Sequence, residues 1–284
     1  TVAVMALPAC TGSGEETTTE FTEFQTSSSA VIEPASDNLT PITMTTTPSA
    51  NFPATTKTTT SAARTTTTAN VTTPEARQLR TVGYISHWHL SRMSQFDLSG
   101  LTHLIWQGVE VVSGKDPTLR VAEDAGWDQV QQVVDAGHRA GLTVLVSLIG
   151  PWNTTSLNEI WDSPELRKEL IDNIVDMVEE YDIDGIDIDN ENRCEPRLYT
   201  VFIDELHEAL SQDKIITLAA HPNRVCITPE TAAKLEFIGL MTYDLYTGRG
   251  YPYHSTFEES VASMELWATS GIEREKLNMG IPFY

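Results

Sequence analysis

Tyr181-Asp-Ile-Asp-Gly-Ile-Asp-Ile-Asp-Asn-Glu191 sets acidic residues into a run that otherwise reads as a buried strand. Strand side chains alternate between faces, so Asp187, Asp189 and Glu191 share one face while Ile186 and Ile188 take the other. The Ile spacing argues against a solvated acidic loop and leaves a cation site as the plain alternative. Crowding three carboxylates in a partly dry groove costs free energy. Its chemical use is to raise the pKa of one carboxyl until it can donate a proton.

Outward from this strand, the chain after Arg80 alternates short β-rich runs with longer segments of helical period, the signature of repeated βα units. Strands are expected over residues 81–86, 102–111, 143–148, 185–189, 215–220, 237–242 and 278–282. Helices are expected over 127–140, 164–181, 196–211, 229–235 and 257–270, several opening on a Ser or Thr cap with Pro in the first turn. Seven strands in this order predict an α/β fold, an eight-stranded (β/α) TIM barrel whose final unit is missing. A doubly wound sheet is the alternative. The barrel is preferred because polar residues fall at the carboxyl ends of many strands, which a barrel gathers at one mouth: His87 and Trp88, Ser147, Glu191, His221, and Tyr243 with Asp244.

The 284 residues carry 18 basic and 40 acidic side chains, a formal charge of −22. Residues 1–76 hold seven acidic and two basic groups, so most of the excess belongs to the remainder. Such a field repels nucleic acid and anionic membrane surfaces and favours a neutral or cationic ligand. Residues 1–10, Thr-Val-Ala-Val-Met-Ala-Leu-Pro-Ala-Cys10, read as the tail of a secretion signal. Leu7-Pro8-Ala9-Cys10 is similar to a lipobox, which would put a lipid anchor on Cys10; an ordinary signal-peptidase site near Ala6 or Ala9 is the other reading. Residues 11–78 are a Thr-, Ser- and Pro-rich linker with too few large apolar groups to offset ordering entropy, expected to be a disordered stalk. Residues 79–284 are the barrel. Asn38, Asn70 and Asn153 open N-glycosylation patterns. Cys194 and Cys226, both in loops after strands at one end of the fold, form the candidate disulfide in an oxidising compartment.

Asp184-Gly-Ile-Asp-Ile-Asp-Asn-Glu191 resembles the DxxDxDxE signature of glycoside hydrolase family 18, the chitinase family, at every acidic position. Val82-Gly-Tyr84-Ile is similar to that family's first strand, Leu101-Thr-His-Leu-Ile to its second and Ser147-Leu-Ile-Gly150 to its third. Met241-Thr-Tyr-Asp244 is similar to the sixth strand and Lys276-Leu-Asn-Met-Gly-Ile-Pro-Phe-Tyr284 to the seventh. The resemblance implies a retaining glycosidase that cuts β-1,4 links in N-acetylglucosamine polymers or oligomers, with the substrate's acetamido group replacing a second carboxylate. It makes Glu191 the general acid, Asp189 the holder of the acetamido N–H, Asp187 its proton-sharing partner, and Tyr243 the donor to the acetamido oxygen. Asp244 would hold the sugar in the −1 subsite, and Tyr84, Ser147 and Met241 line the substrate floor. Trp88, Trp152 and Tyr246, just past strand ends, are candidate sugar platforms, whereas Trp106, Trp127, Trp161 and Trp267 are assigned to the core. No cofactor or metal is implied, and the protein is expected to be an extracellular or cell-surface monomer.

There are three departures from the family pattern. Asn190 stands where Trp is usual, and by parity it points away from the groove. Ile149 replaces a Gly of the third-strand motif. The eighth strand, with a Trp at the base of the −1 subsite, is absent. Two rival readings remain. His87, His89, His221 and Asp244 resemble an amidohydrolase ligand set, a metal-dependent alternative. Relatives that have lost the acid are chitin-binding lectins. Among hydrolase substrates, N-glycan cores and peptidoglycan-type glycans are the alternatives to chitin.

Overall fold

Apolar runs of four to seven residues, each closed by Gly, Pro or a polar cluster, become parallel strands, and the amphipathic segments between them become the covering helices. The computed structural model describes residues 2–5, 79–122, 125–150, 157–191, 194–245 and 254–283. Cys10, Trp152, Tyr246 and all three glycosylation patterns lie outside them. In chain order the described elements begin with β1 (Val2–Met5), β2 (Thr81–Ser86), a 3-10 segment (His87–Gln95), β3 (His103–Ser113), β4 (Asp116–Val121), α1 (Trp127–Arg139) and β5 (Thr143–Ile149). Then come α2 (Asn158–Asp162), α3 (Pro164–Glu180), β6 (Gly185–Asp189), α4 (Pro196–Ala209), β7 (Ile215–Ala220), α5 (Pro229–Ala233), β8 (Phe237–Leu240), α6 (Phe257–Thr269) and β9 (Leu277–Pro282).

All seven expected strands form, paired in parallel in the order β2, β3, β5, β6, β7, β8, β9. The gap expected at the eighth position is filled by β1. β1 pairs in parallel with both β2 (Val2 with Thr81) and β9 (Val2 with Met279), so the sheet closes on itself. Two open edges leave unpaired backbone groups, and a Val-Ala-Val-Met segment of high β propensity satisfies both. Two boundaries differ instructively. The second expected strand runs on to Ser113 and folds back as β4, an antiparallel flap whose Pro117 carbonyl accepts from Asn173 on α3 (3.1 Å). The sixth stops at Leu240, because the amides of Thr242 and Tyr243 bond back to Leu240 and Met241 (2.8 Å each), curling the chain toward the mouth.

Strand parity sorts the core into two parts. Ile85, Leu104, Trp106, Val144, Val146, Ile186, Ile188, Ile216 and Leu218 face outward into one large cluster shared with the helices. Val130, Val133, Val134 and Gly137 make the α1 stripe at helical spacing. Inside the ring Val82, Tyr84, Ile105, Leu145 and Phe237 form a smaller plug. Trp106, Trp161 and Trp267 are fully buried, and Trp127 stacks on Tyr181 at 5.6 Å. Arg167, nearly buried on α3, grips Glu205 of α4 through Nε and Nη2 (2.8 and 2.7 Å) and the Trp161 carbonyl through Nη1, tying three helices together.

The acidic strand enters this ring at Gly185, where a Cβ would lie 2.1 Å from the Ile215 carbonyl oxygen of β7. Neither backbone can yield without parting two ring strands. Gly185→Ala is therefore expected to cost about 2–4 kcal/mol, a fall in denaturant midpoint with the slope unchanged.

Candidate active site

Adjacent strands register their inward positions in rows, and those rows build the site. Ser86, Gln107, Ser147, Asp187 and Thr217 are successive cross-strand partners on β2, β3, β5, β6 and β7. Asp187 is fully buried there and accepts from Tyr84 Oη (3.2 Å), Ser147 Oγ (3.2 Å) and Thr217 Oγ1 (2.6 Å). Loss of water outweighs those three donors, and its pKa stands at about 6, up from 3.8. Tyr84 and Ser147, expected on the substrate floor, have their hydroxyls on Asp187.

Two residues on, Asp189 is 6 % exposed and paired in register with Ile149 and Ala219, small or apolar neighbours that offer its carboxylate nothing polar. Burial first, then the charges of Asp187 and Glu191, push its carboxyl well above the ordinary range, against a hydrogen bond from Gln107. Its Oδ1 is buried and has no partner among the described residues. Glu191 completes the file at the rim. It keeps an exposed face, yet partial desolvation and then the Asp244 charge raise its pKa. The three carboxylates thus run from a dry base to a wet mouth.

The chain after β8 faces them. Tyr243 is half-buried beside the inner plug, and Met241 is half-buried. Asp244 takes a left-handed backbone (φ 53°), a conformation Asp tolerates better than most residues, and its carboxylate meets His254 Nδ1 at 2.9 Å. Thr242 secures the turn, donating to the Gly280 carbonyl (2.6 Å) while its own carbonyl accepts from Ser255 (2.7 Å). Trp88 is 61 % exposed, its ring edge-on to His87 at 4.6 Å. Asn190 is buried on the helix side, its carbonyl accepting from Tyr199 of α4 (2.7 Å). Cys194 and Cys226 are joined in a disulfide, Cα atoms 5.3 Å apart. His87, His89, His221 and Asp244 form no metal-holding group; among the described residues there is none. Asp184, first of the acidic signature, lies at the opposite end, where its Oδ2 accepts from the Val144 amide (2.7 Å) and lies 2.9 Å from His138 Nε2. The sequence reading missed Thr217, Gln107 and His254. The first two carried a signal, a polar side chain at an inward position of an apolar strand.

Because folding raises the Asp187 pKa, the native state holds a proton that the unfolded chain releases. This group's penalty is absent below pH 3.8, grows as pH rises to about 6, and is full above that. Asp187→Asn keeps the three hydroxyl partners without the charge. It is expected to raise thermal stability at pH 7 by an amount on the order of 1–3 kcal/mol and to make little difference at pH 4, as read by calorimetry at both pH values.

Comparison with known proteins agrees with this geometry. The profile of the family described as glycosyl hydrolases family 18 matches residues 80–284. "Probable chitinase 10" of Drosophila melanogaster is 26 % identical over 250 residues, 73 % of this chain and 11 % of that protein, so the chain spans a small part of this relative. The crystal structure of the chitinase ChiB from the chitin utilization locus of Flavobacterium johnsoniae superposes with a TM-score of 0.64 at 26 % identity, covering 73 % of this chain and 69 % of that one. That of a plant class V chitinase mutant from Cycas revoluta, in complex with (GlcNAc)3, gives 0.62 at 18 % identity, covering 71 % and 67 %. With a family match across the whole barrel, and the acidic strand at its mouth, the chain belongs to glycosyl hydrolase family 18.

Proposed function

We propose that this protein hydrolyses β-1,4 links between N-acetylglucosamine residues with retention of configuration, using the substrate's acetamido group as the nucleophile. The observation that carries this reading is the orphan Asp189 Oδ1, a buried acceptor between the charges of Asp187 and Glu191. A buried acceptor left unpaired costs about 1–3 kcal/mol, which an incoming amide N–H would recover. An ordinary retaining glycosidase needs a second carboxylate free to attack. Asp189 is too deeply set for that, but well placed to orient an amide whose carbonyl attacks instead. Glu191, with a raised pKa, would hold the proton for the leaving oxygen, and the Tyr243 hydroxyl would meet the acetamido oxygen. Asp187 stores the proton that Asp189 gives up when it takes the N–H. The exposed Trp88 offers a sugar platform outside this centre.

The secretion-signal reading of residues 1–10 competes with the pairing of Val2–Met5 between β2 and β9, because a segment cleaved as a signal cannot stay in the barrel. Residues 11–78 fit the same reading as a Thr-rich stalk of a protein working at the cell exterior. The Cys194–Cys226 disulfide suits that oxidising setting.

Glu191→Gln should retain binding to soluble chitin oligomers and lose turnover by roughly 10²–10⁴, and Tyr243→Phe should lower kcat with KM little changed. Reducing-sugar release and oligomer binding read both, with a chelator control expected to have no effect. Wild-type binding without cleavage would move the protein to the lectins, and an undiminished Glu191→Gln rate would remove the acid assignment. The acid must be protonated to act, so kcat/KM should fall as pH rises through the raised Glu191 pKa. Asp244→Asn removes the neighbouring charge and should move that alkaline limb to lower pH.

A further inference from the structure

Gln107 is an amide in the middle of the site that none of the roles above uses. It projects from β3, two residues beyond the inward Ile105, and stands in register between Ser86 and Ser147, while Glu110, beyond the bulge, pairs with Ile149 in the row of Asp189. The strand is broken at the next residue. Gln107 pairs with Ser147 but Val109 pairs with Leu148, so Gly108 is the extra residue of a bulge. Bulges re-aim the side chains beside them and are common next to active sites.

The bulge is built in from two sides. The Gly108 carbonyl accepts from the Ala122 amide at the end of β4 (2.9 Å), a bond made by the returning flap and not by the barrel ladder. The Trp106 ring folds across Gly108 so closely that a Cβ there would fall 2.4 Å from the indole. That indole is fully buried in the helix-side core. Gly108 is therefore the only residue type that lets Trp106 seal the outer face while Gln107 is thrown inward. The amide itself has one orientation fixed. Ser86 Oγ donates to Gln107 Oε1 (3.2 Å), which leaves the Nε2 end to meet Asp189. With Asp189 Oδ1 unpaired among the described residues, Oδ2 is the oxygen left for that amide.

We propose that Gln107 is a positioning residue of this site: held by Ser86 and by the bulge at Gly108, its amide donates to Asp189 Oδ2 and turns Oδ1 toward the substrate. This rests on the reading in which Oδ1 receives an acetamido N–H. The consequence is a division of labour within one carboxylate. One oxygen is tied to the protein by a neutral donor, and the other is kept for the sugar. A cation at position 107 would instead neutralise Asp189 and relieve the crowding that Glu191 shares. An apolar residue would leave both oxygens unpaired and push the Asp189 pKa higher still.

The charges and titratable groups that act on Asp189 are Asp187 and Glu191 along its own chain and the phenols of Tyr84 on β2 and Tyr199 on α4. None of them is a cation, so Gln107 is the one side chain on this list that favours the ionised form. Deleting it should be visible at Asp189 directly.

The experiment is a carboxyl-carbon NMR titration of Asp189 in the full chain, run with kcat/KM against pH on soluble chitin oligomers, for the wild type, Gln107→Leu and Ser86→Ala. In Gln107→Leu the Asp189 resonance should titrate about half a pH unit or more higher than in the wild type. The acid limb of kcat/KM should move with it, and kcat should fall about tenfold with KM nearly unchanged. Ser86→Ala, which frees the far end of the amide without touching the bulge, should shift both in the same direction by less. It keeps the test open should Gln107→Leu fold poorly. An unmoved Asp189 titration and acid limb, whatever the loss in rate, would overturn the proposal and leave Gln107 a packing residue. If the wild type cleaves no oligomer while Asp189 still titrates higher in the variants, the Gln107 assignment stands and the acetamido reading falls.

Discussion

Asp187 is a carboxyl group in a place without water, and the rest of the site is arranged around the difficulty of charging it. Three hydroxyls, from Tyr84, Ser147 and Thr217, come from three different strands to meet it, and even so its pKa stands at about 6. Its proton costs little to keep near neutral pH, and its charge acts on Asp189 above it. The gradient along β6, from a dry carboxyl to one at the rim, is what a strand produces when every second residue is acidic and the ring closes around its lower half. Removing the base charge would relax the fold and disarm the file in the same step, a familiar opposition between stability and function.

The sequence disclosed this site best where one-residue alternation is strict. Asp187, Asp189 and Glu191 fell on one face by parity alone, and Asn190 on the other. Met241-Thr-Tyr-Asp244 was found by resemblance, but its role needs the curl that ends β8, a pair of backbone bonds with no side-chain signature. Gln107 and Thr217 could have been read by the same parity, as polar interruptions in Leu-Ile-Trp-Gln and Ile-Ile-Thr-Leu. A single polar residue in an apolar run commonly satisfies itself on the backbone, so neither stands out by residue type alone. The β4 flap had a turn signal in Ser113-Gly-Lys-Asp116, yet Pro117 speaks against a strand, and only an edge position with its carbonyl in use tolerates it. His254 lies ten residues beyond Asp244 and no local pattern joins them. The pairing of β1 with both β2 and β9 depends on two edges that no sequence window contains.

The large negative charge of the chain belongs to a different scale. Most of its acids are solvated, as in the exposed Lys168–Asp172 and Arg274–Glu265 pairs, and contribute little to stability. They bear on which ligands approach. A neutral sugar polymer meets no electrostatic barrier at such a surface, whereas anionic polymers would be repelled.

The disulfide gives the acid a mechanical context. Glu191 stands two residues beyond the ladder residue Asp189 and three before Cys194, which is bonded to Cys226 in the segment after β7. The acid is thus carried on a short span clamped at both ends, by backbone bonds on one side and by a covalent bond on the other. The bond also encloses α4 and β7 in one loop, so the two adjoining rims of the mouth are a single covalent arch. Reduction would open that arch without touching the carboxylates, so the hold on Glu191, the proposed proton donor, depends on a bond that an oxidising setting keeps.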